Sequence, residues 1–245
     1  KKVFFLGDSH LANIQEDLKK RLINNNFDVI IMTEGGCIYA PGTNVYDKNN
    51  NSLSENCSNE VHQIKRDILL ENKDSIIIFG GRLPLYISET YFNNKEGGIE
   101  GGERSKYFTN LDNTLNDKRS RKDFLKNAIK KGLNELLEND LKIVLLYPIP
   151  ESGWHIPRKI WGESSKSNFE EWIKDNTLTT SYEVFIERTR ETYNLYDSID
   201  HPNVIRVYPE KLFCNTPKIN RCSTHNNNRI FYRDDDHLSY YGGTI

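Results

Sequence analysis

Apolar residues along the chain come in short unbroken runs separated by stretches of helical period. Val3–Leu6 is such a run, and Leu11, Ile14, Leu18 and Leu22 follow at the spacing of one helix face. Asp28–Met32 is a second β-branched run that ends at Gly35-Gly36. Val61, Ile64 and Ile68 mark another helix face, and Ser75–Phe79 is a third strand stopped by Gly80-Gly81. Phe124, Leu125, Ala128, Ile129, Leu133, Leu136 and Leu137 form the clearest amphipathic helix. Lys142–Tyr147 predicts a fourth strand, broken by Pro148 and Pro150. Tyr182–Tyr196 predicts a helix and Val204–Val207 a fifth strand. Continuous rather than alternating apolar strands are those buried on both faces, as in a parallel sheet covered by helices. Strand and helix in alternation therefore predict an α/β fold with a doubly wound sheet and right-handed crossovers.

Two stretches break the rhythm. Residues 84–120 carry Gly97-Gly98 and Gly101-Gly102 among Asn and charges, and read as a solvated, mobile insertion. Residues 148–181 carry Trp154, Trp161 and Trp172 among prolines and glycines, side chains suited equally to stacking on a sugar or plugging a core edge. The run Lys118–Lys122 reads as the exposed start of a helix.

The chain has 245 residues, enough for one sizeable core, with 33 basic and 35 acidic side chains and a net charge of −2. That balance argues against a nucleic-acid partner, which needs a concentrated excess of Lys and Arg. No apolar run approaches the roughly 18 residues of a membrane span, and Lys1-Lys2 leads straight into the first strand without the pattern of a signal sequence. Four cysteines fall in two local pairs, Cys37 with Cys57 and Cys214 with Cys222. Two disulfide loops in an oxidising compartment, or four reduced thiols in the cytosol, both fit that spacing. Zinc at Cys214, Cys222 and His225 is a third reading, weakened by its short ligand count.

Candidate chemistry sits at the two ends. Gly7-Asp8-Ser9-His10 lies between the first strand and the first helix, at the strand end where open parallel sheets bind ligands. Ser9 there has backbone N–H groups nearby to stabilise an oxyanion, although Asp8 or Ser9 could simply cap the helix. Near the far end stands Tyr232-Arg233-Asp234-Asp235-Asp236-His237-Leu238-Ser239. An Asp three residues before a His can bend back to Nδ1 and leave Nε2 to take a proton from a serine. A calcium loop at the three Asp lacks the alternating oxygens and glycine of such sites.

These two blocks resemble the first and last signature blocks of the SGNH (GDSL-like) hydrolases. More narrowly, the chain resembles the SGNH domains fused to membrane acyltransferase-3 proteins that O-acetylate bacterial surface polysaccharides. Gly36-Cys37 with Cys57, Ile78–Arg82, Leu145–Pro150, and Leu212-Phe213-Cys214 through Cys222 carry that narrower likeness. The resemblance implies a flavodoxin-like three-layer α/β/α sandwich spanning residues 1–245 as one domain, with 84–120 and 148–181 as insertions or lids. It implies Ser9 as nucleophile, His237 as general base and then acid, and Asp234 as the residue orienting His237, ahead of Asp235 and Asp236. Gly36 matches the glycine of the oxyanion hole. Arg82 stands where the family carries an Asn, and either donates to the oxyanion or pairs with an acid at the pocket rim.

The activity implied is O-acyl transfer, an acetyl group above all, to a hydroxyl of a surface polysaccharide or lipopolysaccharide through an acyl-serine, with no cofactor or metal. The acyl donor would be delivered by an upstream membrane acyltransferase module of the same polypeptide, placing this domain on the periplasmic face of the inner membrane, with both cysteine pairs bonded. A secreted carbohydrate esterase using the same triad is the alternative, and a glycan-binding module with a vestigial triad is a third.

Overall fold

The computed structural model describes residues 1–102, 104–164 and 169–245. In chain order the elements are β1 (Lys2–Gly7), α1 (Ser9–Asn24), β2 (Asp28–Ile31), β3 (Asn44–Asp47), β4 (Ser52–Leu53), α2 (Asn59–Leu70), β5 (Ile76–Gly80) and α3 (Leu83–Ser88). There follow β6 (Lys106–Thr109), α4 (Lys118–Glu138), β7 (Lys142–Leu146), α5 (Ile156–Ser164), α6 (Phe169–Asp175), β8 (Thr179–Ser181) and α7 (Tyr182–Asp197). The chain closes with β9 (Val204–Val207), α8 (Glu210–Phe213), β10 (Arg221–Ser223) and a 3-10 turn at Gly242–Thr244.

The central sheet has five strands in the order β2-β1-β5-β7-β9, all parallel, with Phe4 opposite Ile77 and Ile77 opposite Ile143. Numbered among themselves these strands run 2-1-3-4-5, the doubly wound order of the flavodoxin-like fold. Alternate side chains divide the core between the two faces. Phe4, Leu6, Ile77, Phe79, Ile143 and Leu145 pack under α4 and α7 with Leu125, Ile129, Leu133, Leu136 and Tyr196. Val3, Phe5, Ile78 and Leu146 face the other way, onto Leu11, Ile14, Leu18 and Leu22 of α1. The five apolar runs and the four long helices legible in the sequence are all in place. Among the described residues, no helix is long and apolar enough to cross a membrane.

The segment 84–120 departs from the solvated insertion expected of it. Leu83, Pro84, Leu85, Tyr86 and Ile87 of α3 are buried, and β6 pairs antiparallel with β3 to bury Phe108 and Thr109. Its glycines and charges hide this because a helix of six residues and a strand of four are too short to show a hydrophobic period. Arg121, inside the basic run, is also buried, gripped by Glu89 at 2.6 and 2.7 Å. In 148–181, Ile149, Ile156 and Ile160 join Phe213, Phe231 and Tyr232 in a second core, against which Trp154 and Trp172 pack. Trp161 is 73% exposed.

Both local cysteine pairs are disulfides, Cys37–Cys57 and Cys214–Cys222. The second bond removes two of the three ligands that a zinc site with His225 would need. His225 is engaged elsewhere: its Nε2 accepts the Leu178 N–H at 3.0 Å, and Nδ1 lies 2.9 Å from the Asn226 carbonyl.

Candidate active site

The site begins where β1 and β5 end side by side. Gly7 pairs with Gly80, and a Cβ on Gly7 would stand 2.0 Å from the Gly80 oxygen, so only glycine lets the two strand ends approach this closely. Gly81 leaves room in the same way for the carboxylate of Asp8, which a Cβ there would meet at 2.8–2.9 Å. Asp8 is fully buried and caps α1, accepting from the His10 N–H at 2.8 Å. It also accepts from the Arg82 N–H at 2.7 Å and the Tyr86 hydroxyl at 2.6 Å. Capping and presentation of Ser9 are thus one arrangement: Asp8 locks the turn, and Ser9, as first residue of α1, is partly exposed at the sheet's carboxyl edge.

The second half of the site is the loop 232–239. Tyr232 donates its hydroxyl to the Pro150 carbonyl at 2.6 Å, and Ser152 and Gly153 donate their N–H groups to the Asp235 carbonyl at 2.9 and 3.0 Å. Within the loop, Asp234 Oδ1 accepts from the N–H groups of Asp236 and His237 at 3.1 and 2.7 Å. These bonds aim His237 at the helix start. Its Nε2 lies 2.8 Å from Ser9 Oγ, across 228 positions of sequence, and its Nδ1 lies 3.0 Å from Asp234 Oδ2.

The sequence reading missed a buried charge network behind this trio. Asp236 Oδ1 is also 3.0 Å from His237 Nδ1, while its Oδ2 is 2.9 Å from His10 Nε2 and 2.9 Å from Arg82 Nη1. Arg82 in turn binds Glu100 and Glu151, and Arg188 Nε reaches the far oxygen of Glu151 at 2.9 Å. The Arg82 side-chain donors meet three carboxylates, those of Glu100, Glu151 and Asp236. One signal was available: an arginine placed directly after a buried Gly-Gly turn needs acids, and the two irregular stretches were where to seek Glu100 and Glu151.

Gly36 lies in the turn after β2, exposed and with φ +73°. The Glu34 N–H donates to the Gly7 carbonyl at 3.0 Å, which sets this turn beside the Ser9 loop. Among the described residues no acceptor meets the backbone N–H of Ser9 or of Gly36.

Electrostatics follow the geometry. Burial disfavours a charged His237 ring, but hydrogen bonds to Asp234 and Asp236 outweigh it and push its pKa up to about 9. Burial works against the charged forms of Asp236 and Glu151 too. Hydrogen bonds from His10 and His237, with the Arg82 charge, nevertheless hold Asp236 far below the usual carboxylate range. The charges of Arg188 and Arg82 hold Glu151 below it as well. Arrayed this way, Ser9, His237 and Asp234 can activate a hydroxyl as a nucleophile. A separate cavity of about 370 Å³ between α3 and α7 touches the network through Arg188, but neither Ser9 nor His237 lines it.

No curated protein sequence matches the chain. The Salmonella ser. Paratyphi A lipopolysaccharide acetyltransferase periplasmic domain has a similar structure, with TM-score 0.61 and 16% identity over 99% of this chain and 78% of that one. A putative acylhydrolase from Bacteroides fragilis aligns over 100% of this chain and 82% of its own, at TM-score 0.45 and 11% identity. At 16% identity the likeness to the Salmonella domain speaks to the fold alone. The family model described as "SGNH domain (fused to AT3 domains)" matches residues 1–244, and with that span matched, the chain belongs to this SGNH family.

Proposed function

We propose that this domain is an O-acyltransferase that moves a small acyl group, acetyl in the first instance, onto a hydroxyl of a cell-surface polysaccharide or lipopolysaccharide. The observation that carries the reading is the Ser9–His237–Asp234 alignment, 2.8 and 3.0 Å between the interacting atoms. Ser9 attacks the acyl carbonyl as His237 Nε2 takes its proton, and Asp234 steadies the imidazolium. The unpartnered N–H groups of Ser9 and Gly36 are the oxyanion donors in this reading, with Arg82 acting from behind through Asp236. His237 returns the proton to the departing donor, then removes one from the acceptor hydroxyl as it attacks the acyl-serine, and passes that proton to Ser9 Oγ as the ester bond to Ser9 breaks.

Transfer rather than hydrolysis is supported by the family's fusion to AT3 domains, a membrane acyltransferase module suited to delivering the acyl donor. The similar lipopolysaccharide acetyltransferase domain of Salmonella agrees with that choice. Its periplasmic setting and the two disulfides favour an extracytoplasmic location here. A partly exposed nucleophile and base also suit a bulky acceptor. Incubation with a fluorophosphonate probe is expected to label Ser9 and no other residue; an unlabelled protein at pH 8–9 removes the serine mechanism. With an acetyl donor and oligosaccharides together, acetylated sugar is expected to exceed released acetate, and acetate alone turns the reading to an esterase.

A further inference from the structure

His237 Nδ1 faces two carboxylates at the same distance, 3.0 Å to Asp234 and 3.0 Å to Asp236. One ring N–H cannot point well at both, so the two acids do different work. Asp234 is held from within its own loop: its other oxygen takes the N–H groups of residues 236 and 237, and its side chain is 28% exposed. It therefore moves with the loop it organises. Asp236 is 5% exposed at its side chain and is held from outside, by His10 of α1 and Arg82 of the β5–α3 turn. His10 adjoins the nucleophile, its backbone N–H is fixed by Asp8, and its ring meets that of His237 edge-on at 5.2 Å.

We propose that Asp236 is a second positioning residue of this site: it holds His237 Nδ1 together with Asp234 and, through His10 and Arg82, ties the base to the turn that carries Ser9. This rests on the reading of Ser9 and His237 as nucleophile and base. The consequence is electrostatic as well as geometric. The groups around the His237 ring are Asp234, Asp235 and Asp236 on its own loop, with Arg233 3.7 Å from the Asp234 oxygen that faces the ring, Ser9 and His10 on α1, and Arg82 after β5. Glu100 and Glu151 stand behind Arg82, with Arg188 of α7 on Glu151. Three arginines, Arg82, Arg188 and Arg233, face the carboxylates of Asp234, Asp236, Glu100 and Glu151, so acids still outnumber them and the cluster favours a positive ring. A base held this way keeps its proton at neutral pH and becomes competent as the solution turns alkaline, gaining about tenfold in its neutral fraction per pH unit.

The test reads His237 directly. In full-length Ser9→Ala protein, the histidine ring resonances are titrated by NMR, with His237 identified by its disappearance in Ser9→Ala/His237→Gln. The expected midpoint is about 9. Asp236→Asn is expected to lower it by at least one pH unit, a tenfold loss of proton affinity, while Asp235→Asn leaves it in place. In the active protein, kcat/KM for a chromogenic acetyl ester is expected to rise along the same curve and to shift with it in Asp236→Asn. A midpoint unmoved by Asp236→Asn overturns the proposal. So does a midpoint near 6.5 in the Ser9→Ala protein itself, a result that needs no substitution at Asp236. If the titration behaves as expected but no ester is turned over, the acyl-transfer reading fails and the hold of Asp236 on His237 stands.

Discussion

Two histidines of this chain sit in opposite surroundings, and the contrast shows what the fold does with one side chain. His62, on α2, is fully buried against Tyr39 and the Cys37–Cys57 disulfide. Among the described residues its Nδ1 has no partner, and Nε2 is 4.0 Å from Cys57 Sγ. Burial, helped by the nearby Lys65 charge, lowers its pKa to about 4, so it is a neutral packing element. His237 is less deeply buried, but it has carboxylates on one nitrogen and a serine hydroxyl on the other, and its pKa goes the other way. Burial alone silences a histidine; burial among acids arms it.

The largest expected difference is in turnover. His237→Ala and Ser9→Ala are each expected to cut hydrolysis of a chromogenic acetyl ester by about 10³-fold or more. His62→Leu, assayed where it remains folded, should stay within about threefold of the parent. Equal losses at His62 and His237 would dissolve the contrast.

Next is the cost of disturbing the charges that arm His237. Arg82→Met leaves Glu100, Glu151 and Asp236 without their shared cation, and is expected to destabilise the fold by about 3–5 kcal/mol in urea unfolding. A loss below about 1 kcal/mol would mean that water already screens this network. On the His62 side, the Cys37→Ser/Cys57→Ser pair removes a crosslink over a sequence separation of 20, worth about 3 kcal/mol on the loop-entropy model. Thermal unfolding with and without reductant checks the same bond.

The smallest effects are in pH, where the two rings act in opposite windows. The raised pKa of His237 contributes stability that is complete below about 6.5 and is lost as pH climbs through about 9. The lowered pKa of His62 contributes stability that is complete above about 6.5 and is lost as pH falls toward about 4. Each amounts to at most about 3 kcal/mol. Melting curves from pH 4 to 10 should thus fall on both sides, with His62→Leu flattening the acid limb and His237→Gln the alkaline one. If either substitution flattens the wrong limb, the assignment of that limb is mistaken.

The central sheet was legible because its strands are unbroken apolar runs whose burial on both faces leaves no other pattern available. Ser9, Asp234 and His237 were legible because each lies in a short block with its own local logic. The network of Asp236, His10, Arg82, Glu100, Glu151 and Arg188 was not, because its six members come from six separate places in the chain and no local period links them. Asp236 is the instructive case: three consecutive aspartates look alike in sequence, and only the packing of α1 against the last loop buries one of them. The small sheet of β3, β4 and β6 was hidden for a related reason, since strands of two to four residues carry too few positions to show alternation.

The bond between Ser9 and His237 joins the first turn of the chain to its last dozen residues. The base is translated 228 positions after the nucleophile, so a chain that has not yet reached His237 holds a serine with nothing to deprotonate it. In the proposed reaction, turnover by this domain therefore reports that the loop 232–239 has docked against the turn between β1 and α1.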